Sequence, residues 1–292
     1  MNKTLTSRIA VSIDSMRLRY SAIGVFLFYM AANAFALFNY YPQHDSLNYL
    51  EYRTTYWDTV IGRFLTPLYV KLRGNYTVPW LIGVITMICL TAITYMVSKM
   101  IAIRKPMLIL GTAGILSANF THTELLGSYT FCEDQLTVSV LLAVLAFYLV
   151  WQKWSGKRVL LSVFLIVMSM GLYQANIAFP VTLMLLLVCK ELLHGGSLRG
   201  SEMRKYLRFL LPAAAAVLCY VPVNTIVLKI NGYTELNDYH SFGKLLQDRS
   251  GIPQKMAGIY EKLLDKFFVN RDMPMLSVGC ARKSGSFLGF GW

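Results

Sequence analysis

The amino-acid sequence predicts an all-α fold: a polytopic transmembrane helical bundle of about seven spans, with interfacial helices in its first outer loop. Hydrophobic residues make up 55% of the 292 residues, and the mean hydropathy is +0.48. They are concentrated in uninterrupted runs of roughly 20 residues, the length of helix that crosses about 30 Å of hydrocarbon. Basic residues are abundant in every second loop between these runs and scarce in the others.

The apolar runs give the order of the predicted spans. They lie at about 21–40, 79–98, 107–121, 135–152, 158–174, 176–192 and 207–230. The third run is short. The fifth and sixth runs are nearly continuous through Tyr173-Gln174-Ala175-Asn176, which predicts a tight hairpin there. No small-residue cleavage site follows the first run, so it is predicted to be a retained helix rather than a signal peptide.

Lysine and arginine set the predicted orientation. One set of loops carries Lys3, Arg8, Arg17, Arg19, Lys99, Arg104, Lys105, Lys153, Lys157, Arg158, Lys190, Arg199, Arg204, Lys205 and Arg208. The opposite loops carry only Arg53, Arg63, Lys71 and Arg73. Because cytoplasmic loops are enriched in basic residues, the N-terminus is predicted to be cytoplasmic. The same bias explains the net charge of +13, so no nucleic-acid partner is predicted.

The predicted spans divide the chain into two parts. Residues 1–230 form a transmembrane core, with a first outer loop at 41–78 (the first loop) and a second at 122–134 (the second loop). Residues 231–292 form an outer-face segment with an amphipathic helix at 253–268. No further apolar run follows, and we expect a truncated C-terminus, with a natural short tail as the alternative.

The first loop carries a helical pattern of its own. From Trp57 to Leu68 its apolar residues recur at i, i+3, i+4 and i+7, which predicts an amphipathic helix on the outer leaflet. Asp45 or Ser46 is a candidate cap for an earlier helix over 47–56. The alternative is an ordinary folded loop without catalysis.

Both outer loops bring carboxylates close to the membrane surface. They are Asp45, Glu51, Asp58, Glu124, Glu133 and Asp134. A carboxylate can take the proton of an attacking hydroxyl, and it suits the positive charge that develops in glycosyl transfer. A guanidinium such as that of Arg63 can hold a leaving phosphate through two hydrogen bonds. The alternatives are solvated acids or helix caps, and a snorkelling arginine.

No metal or redox motif stands out. The chain has five cysteines but no Cys-x-x-Cys pair. His44 beside Asp45 and His122 near Glu124 lack a recognisable ligand spacing. No metal ligand and no cofactor are therefore predicted, and a divalent metal is left open.

Four short segments are similar to one known family. They are Gln43-His44-Asp45, Gly62-Arg63-Phe64-Leu65, Phe131-Cys132-Glu133-Asp134-Gln135 and Gly171-Leu172-Tyr173-Gln174-Ala175-Asn176. Over about residues 20–230 the chain resembles the GtrII-type glucosyl transferases, bacterial membrane proteins of O-antigen glucosylation. The resemblance implies a GT-C-like transferase of the bacterial inner membrane that uses polyprenyl-phosphate-linked glucose at the outer face.

The resemblance also implies roles for residues. It makes Asp45 the first candidate for the essential acid, Asp58 a weaker one, Asp134 the acid of the second loop, Arg63 a donor-phosphate ligand and Gln174 part of the cavity wall. The full predicted set is catalytic Asp45, Asp134 and Asp58, with substrate-binding Arg63, Glu133, Glu124, Tyr173 and Gln174.

The leading hypothesis is a membrane glycosyltransferase that moves a hexose, expected to be glucose, from polyprenyl phosphate to a cell-surface glycan. Its expected partners are the lipid-linked donor, the glycan acceptor and membrane lipid; a flippase and a polyprenyl-phosphate sugar synthase are further candidates. The alternatives are a lipid-glycan flippase or transporter, and a non-catalytic membrane assembly protein. The predicted spans hold no deep Asp, Glu, Lys or Arg, which disfavours a coupled transporter.

Overall fold

The structure, a computed structural model, describes residues 3–40, 44–51, 56–119, 123, 126–193, 208–233, 258 and 260. The chain divides into two units, residues 1–237 and 238–292. Of the second unit, only Gly258 and Tyr260 are among the described residues, and both are helical. The rest of the amphipathic helix predicted at 253–268 lies outside the described residues.

The described residues form helices and no β-strand, which confirms the all-α prediction. The helices are α1 (Lys3–Phe38), α2 (Tyr56–Val60), α3 (Thr66–Arg73), α4 (Pro79–Met100), α5 (Pro106–Ser117), α6 (Glu133–Gln152), α7 (Gly156–Leu172), α8 (Ala178–Leu193) and α9 (Leu210–Ile230). Short 3₁₀ helices cover His44–Asn48, Thr130–Cys132 and Gln174–Ile177.

Each of the seven predicted apolar runs overlaps a helix of the described residues, but the count of seven spans is not confirmed. Among the described residues, five segments are long and apolar enough to cross a membrane, which fits a membrane protein. They are Val11–Phe38, Pro79–Met100, Thr130–Gln152, Gln174–Leu193 and Leu210–Ile230. Helix α5 has 12 residues and α7 has 17. The first is too short to cross the hydrocarbon alone, and the second is at the lower limit of length.

The long helices pack side by side, with α1 against α4 and α5, α6 against α4 and α7, and α9 against α7. Small residues allow the close approaches, as is usual between membrane helices. A Cβ added to Gly24 of α1 would lie 2.7 Å from the Cβ of Ala113 in α5. Hydrogen bonds join described residues of the segment between α1 and α4 to the start of α6 and the end of α7: Ser46 bonds to Ser128 and Thr130, and Leu65 bonds to Gly171. The end of the bundle where these residues meet is here called the site end.

The hairpin between α7 and α8 agrees with its prediction. Tyr173 ends α7 in an extended conformation (φ −160°, ψ 111°), and its amide still donates to the carbonyl of Ser169 at 2.9 Å. The 3₁₀ helix Gln174–Ile177 then leads directly into α8. The chain therefore reverses at the site end within a few residues.

The prediction of one continuous amphipathic helix over Trp57–Leu68 is wrong. Helix α2 ends at Val60, α3 begins at Thr66, and the residues between them form a turn. Gly62 has φ +89°, a left-handed conformation that glycine adopts easily and that interrupts a right-handed helix. Pro67 then lies in the first turn of α3, where its missing N–H costs nothing.

The earlier helix predicted over 47–56 is also wrong where the structure describes it. The 3₁₀ helix ends at Asn48, and Glu51 forms an isolated antiparallel bridge with Tyr76. Ser46 bonds to the second loop instead of capping a helix: its Oγ donates to the carbonyl of Ser128 at 3.0 Å and accepts from the amide of Thr130 at 3.1 Å. One hydroxyl thus holds the first loop against the second.

We predict that Gly24→Val lowers the free energy of unfolding, because the added side chain overlaps α5. Overpacking of this kind costs about 1–3 kcal/mol. Gly111→Val is the matched control on α5, since a Cβ there meets no atom within 4 Å. Thermal unfolding of both purified variants in detergent measures the difference. Equal melting temperatures for the two variants would contradict the packing of α1 on α5.

Candidate functional site

Asp134, one of the predicted catalytic acids, lies in the first turn of α6 and is held by three hydrogen bonds. Nη1 of Arg73 donates to its Oδ1 at 2.6 Å, the backbone amide of Gln135 donates to the same oxygen at 2.9 Å, and the hydroxyl of Tyr69 donates to Oδ2 at 2.8 Å. The side chains of Arg73 and Asp134 are 2% and 0% exposed. Both carboxylate oxygens are therefore occupied by groups of the protein.

The two side chains that donate to Asp134, Tyr69 and Arg73, both come from the short helix α3. Burial, followed by the negative charge of Asp134, raises the pKa of Tyr69, so its phenol stays protonated and keeps donating at ordinary pH. Nη1 of Arg73 also donates to the carbonyl of Phe131 at 2.8 Å, while its Nε and Nη2 are buried without a partner. These contacts fix α3 against the start of α6.

Arg73 was not among the predicted site residues. Its only sequence signal is its membership of the small basic set of the first loop, where it follows Tyr69 by four positions and so lies on the same face of a helix. Neither feature points to a partner 61 positions away along the chain.

Glu133 precedes Asp134 in the chain, but its side chain points into the bundle. The hydroxyl of Tyr29 in α1 is 3.0 Å from Oε1 and 3.1 Å from Oε2 of this fully buried carboxylate. Tyr29 lies nine residues before the end of α1 at Phe38, so at 1.5 Å per residue this pair is about 13 Å below that helix end. The two neighbouring acids therefore face different helices.

The predicted acids of the first loop lie in different surroundings. Asp45 is partly exposed within the 3₁₀ helix His44–Asn48. The ring of Tyr49 stacks on that of Phe131, with centroids 4.2 Å apart, so this segment lies against the residues that precede α6. Asp58 in α2 is 4% exposed, and its backbone carbonyl accepts from the amide of Arg63 at 2.7 Å.

Two residues named in the sequence predictions are not among the residues that the structure describes. The predicted substrate-binding residue Glu124 lies outside the described residues, as does His122. Within the described ranges, no group of three His, Cys, Asp or Glu side chains is placed to hold a metal ion.

Three of the predicted substrate-binding residues come together at the turn between α2 and α3. The guanidinium carbon of Arg63 lies 4.7 Å from the centroid of the Tyr173 ring, a cation–π contact. Nε2 of Gln174 donates to the carbonyl of Ile61 at 2.6 Å. Across the described part of the chain, no carboxylate pairs with Arg63, and its Nε is buried without a hydrogen bond.

The same turn is also bonded to α6 and α7. Nε2 of Gln135 donates to Oγ1 of Thr66 at 2.7 Å and to the carbonyl of Leu172 at 3.1 Å. The amide of Leu65 donates to the carbonyl of Gly171 at 2.9 Å. Gly171 has no space for a side chain, because a Cβ would lie 2.7 Å from the ring of Phe64. The segment that carries Arg63 is thus packed against the ends of two long helices.

The family model described as glucosyl transferase GtrII matches residues 34–271, most of the chain. The chain belongs to the GtrII glucosyl transferase family. The match includes both predicted outer loops and the α7–α8 hairpin, and hence every predicted site residue. No curated protein and no solved structure matches the chain. Membership of the GtrII family indicates glucosyl transfer as the general activity.

We predict that Arg73→Met lowers the free energy of unfolding by about 3–5 kcal/mol, because the buried carboxylate of Asp134 loses its counter-charge. Adding Asp134→Asn should restore most of that stability, since an amide needs no cation and can still accept from Tyr69. Thermal unfolding of both variants in detergent tests this. A double variant no more stable than Arg73→Met alone would count against the ion pair.

Proposed function

We propose that this GtrII protein transfers glucose from a polyprenyl-phosphate donor to a cell-surface glycan at the outer face of the bacterial inner membrane. The observation that carries the proposal is the guanidinium of Arg63. It lies over the ring of Tyr173, and no carboxylate of the described residues pairs with it. A guanidinium that no described carboxylate neutralises can bind the phosphate of a lipid-linked sugar. Acidic side chains lie at the same end of the membrane bundle.

The proposed reaction is a single displacement at the anomeric carbon of the donor glucose. The acceptor hydroxyl oxygen forms the new bond, and the bond between the anomeric carbon and the phosphate oxygen breaks. Polyprenyl phosphate leaves with the bonding electrons, and a carboxylate takes the acceptor proton. Because the reaction is a single displacement, the configuration at the anomeric carbon inverts. The reaction as written uses no cofactor.

Arg63 is assigned to the phosphate of the donor. A guanidinium offers two parallel N–H groups to a phosphate, and the pairing is stronger where water is scarce. Contact with the Tyr173 ring orients the guanidinium plane without using its N–H donors. The leaving phosphate would therefore gain charge next to a cation that is already in place.

Asp45 is assigned as the base. It is partly exposed, whereas the side chains of Asp134 and Glu133 are fully buried. Asp134 then supports the site by holding α3, and Asp58 stays a weaker candidate. A base must be able to reach the acceptor hydroxyl, which favours the more accessible acid.

The proposed orientation places the N-terminus in the cytoplasm. The basic loops predict it, and charged contacts at the end of the bundle opposite to the site support it. Asp14 of α1 pairs with Nη1 of Arg17 at 3.0 Å and with Nζ of Lys99 in α4 at 2.6 Å. With that end in the cytoplasm, the site end faces outward, where the donor lipid and the acceptor glycan would meet. A flippase and a polyprenyl-phosphate sugar synthase would have to supply the donor.

We predict that cells with the intact gene add one hexose to their surface glycan, and that cells with Asp45→Asn do not, because the amide cannot take the acceptor proton. Mass spectrometry of the glycan measures the addition. Glu51→Gln, another acid of the first loop, is the matched control and should add the hexose normally. If Asp45→Asn reaches normal membrane levels and still adds the hexose, Asp45 is not the base.

We predict that Arg63→Gln raises the KM for the lipid-linked donor by roughly 10- to 100-fold, the equivalent of losing a charge-assisted hydrogen bond. Lys71→Gln removes a cation from the exposed side of α3 and should leave KM unchanged. Initial rates of the purified chain at varied donor concentration give both values. Equal KM values for the two variants would exclude Arg63 as the phosphate ligand.

A further inference from the structure

We infer that Tyr220, in the middle of α9, is a positioning residue for glucosyl transfer: together with Gln174 it fixes the turn that presents Arg63. This inference rests on the role of Arg63 in the proposed function. Tyr220 belongs to none of the sequence segments that resemble the family, and no sequence pattern marks it. Its hydroxyl reaches a backbone carbonyl 158 positions away in the chain.

Two hydrogen bonds reach the two residues before Arg63, and a third joins the two side chains that donate them. The hydroxyl of Tyr220 donates to the carbonyl of Gly62 at 2.7 Å. Nε2 of Gln174 donates to the carbonyl of Ile61 at 2.6 Å and to the hydroxyl of Tyr220 at 3.1 Å. The two side chains therefore also bond to each other, and they hold the turn as one unit.

These bonds satisfy carbonyl groups that the helices leave free. Ile61 and Gly62 follow the end of α2, where the last carbonyls of a helix have no partner within it. A buried carbonyl without a partner costs free energy, so the backbone takes the conformation that the two side chains can bond. The conformation of this turn is thus set largely by residues of other helices.

Gly62 shows how closely the two side chains approach. A Cβ at this position would clash with the hydroxyl of Tyr220 and with the amide of Gln174, and the φ of +89° favours glycine independently. The turn therefore needs both the absence of a side chain at residue 62 and the two bonding groups opposite it. Arg63 is the next residue, so any shift of Gly62 moves the guanidinium.

The ring of Tyr220 is packed among apolar side chains. Its ring packs against that of Phe64, with centroids 5.9 Å apart, and joins a packed cluster with Ala213 and Ala216 of α9 and Ile166 of α7. Removing only the hydroxyl should leave this packing in place. The variant Tyr220→Phe therefore separates the bond to the turn from the packing of α9.

We expect Tyr220→Phe to raise the donor KM about tenfold with little change in kcat, because one buried carbonyl loses its donor while the acids are untouched. Tyr233→Phe is the matched control: Tyr233 follows α9 and packs edge-on against Tyr56, the first residue of α2, with ring centroids 5.0 Å apart. It should keep the wild-type KM. The assay uses the purified full chain with polyprenyl-phosphate glucose as the donor.

A double variant distinguishes positioning from a general structural role. If Tyr220 acts through the guanidinium, adding Tyr220→Phe to Arg63→Gln raises KM no further, because the group it positions is already gone. A purely structural role predicts that the two effects multiply. If Tyr220→Phe fails to reach the membrane, Gln174→Met replaces it in the same comparison. Methionine has a volume similar to that of glutamine but cannot donate a hydrogen bond to the carbonyl of Ile61.

The outcomes separate this inference from the proposed function. A raised KM in Arg63→Gln together with a wild-type KM in Tyr220→Phe, or effects that multiply in the double variant, overturns the positioning role alone. A wild-type KM in Arg63→Gln overturns the assignment of Arg63 and this inference with it. A raised KM in both single variants with no further rise in the double variant establishes the positioning role.

Discussion

Nη1 of Arg73 in α3 lies 2.6 Å from Oδ1 of Asp134 in the first turn of α6, and both side chains are almost fully buried. Buried charges are costly unless they are paired and hydrogen-bonded, and this carboxylate also accepts from Tyr69 and from the amide of Gln135. The pair of Arg73 and Asp134 therefore keeps α3 inside the end of the bundle. The turn that carries Arg63 comes just before α3, so its location depends on that pair.

The first three residues of α6 each bond to a different part of the molecule. Successive side chains on a helix point about 100° apart. Glu133 accordingly faces Tyr29 of α1, Asp134 faces α3, and Gln135 bonds to Thr66 and to the carbonyl at the end of α7. A run of three polar residues at the start of a membrane helix thus joins α1, the first loop and α7. Substitutions there are expected to disturb the whole site end rather than one contact.

The sequence was sufficient for features that depend on local pattern and not for those that depend on distant partners. Run length predicted the helical segments, and the family resemblance named Arg63 and Gln174 as site residues. The continuous helix over Trp57–Leu68 failed because a periodic apolar pattern does not reveal that Gly62 takes a positive φ. The contacts of Asp134 with Arg73 and Tyr69 were missed because they join positions 61 and 65 residues apart. The contact from Tyr220 was missed because it joins positions 158 residues apart.

The proposed function requires a lipid-linked glucose as the donor. Its most direct test reconstitutes the purified chain in liposomes with a lipid-linked glycan acceptor and radiolabelled glucose, supplied either on polyprenyl phosphate or as a nucleotide sugar. The proposed function predicts label in the glycan from the polyprenyl-phosphate donor and none from the nucleotide sugar. Label from the nucleotide sugar alone would contradict it.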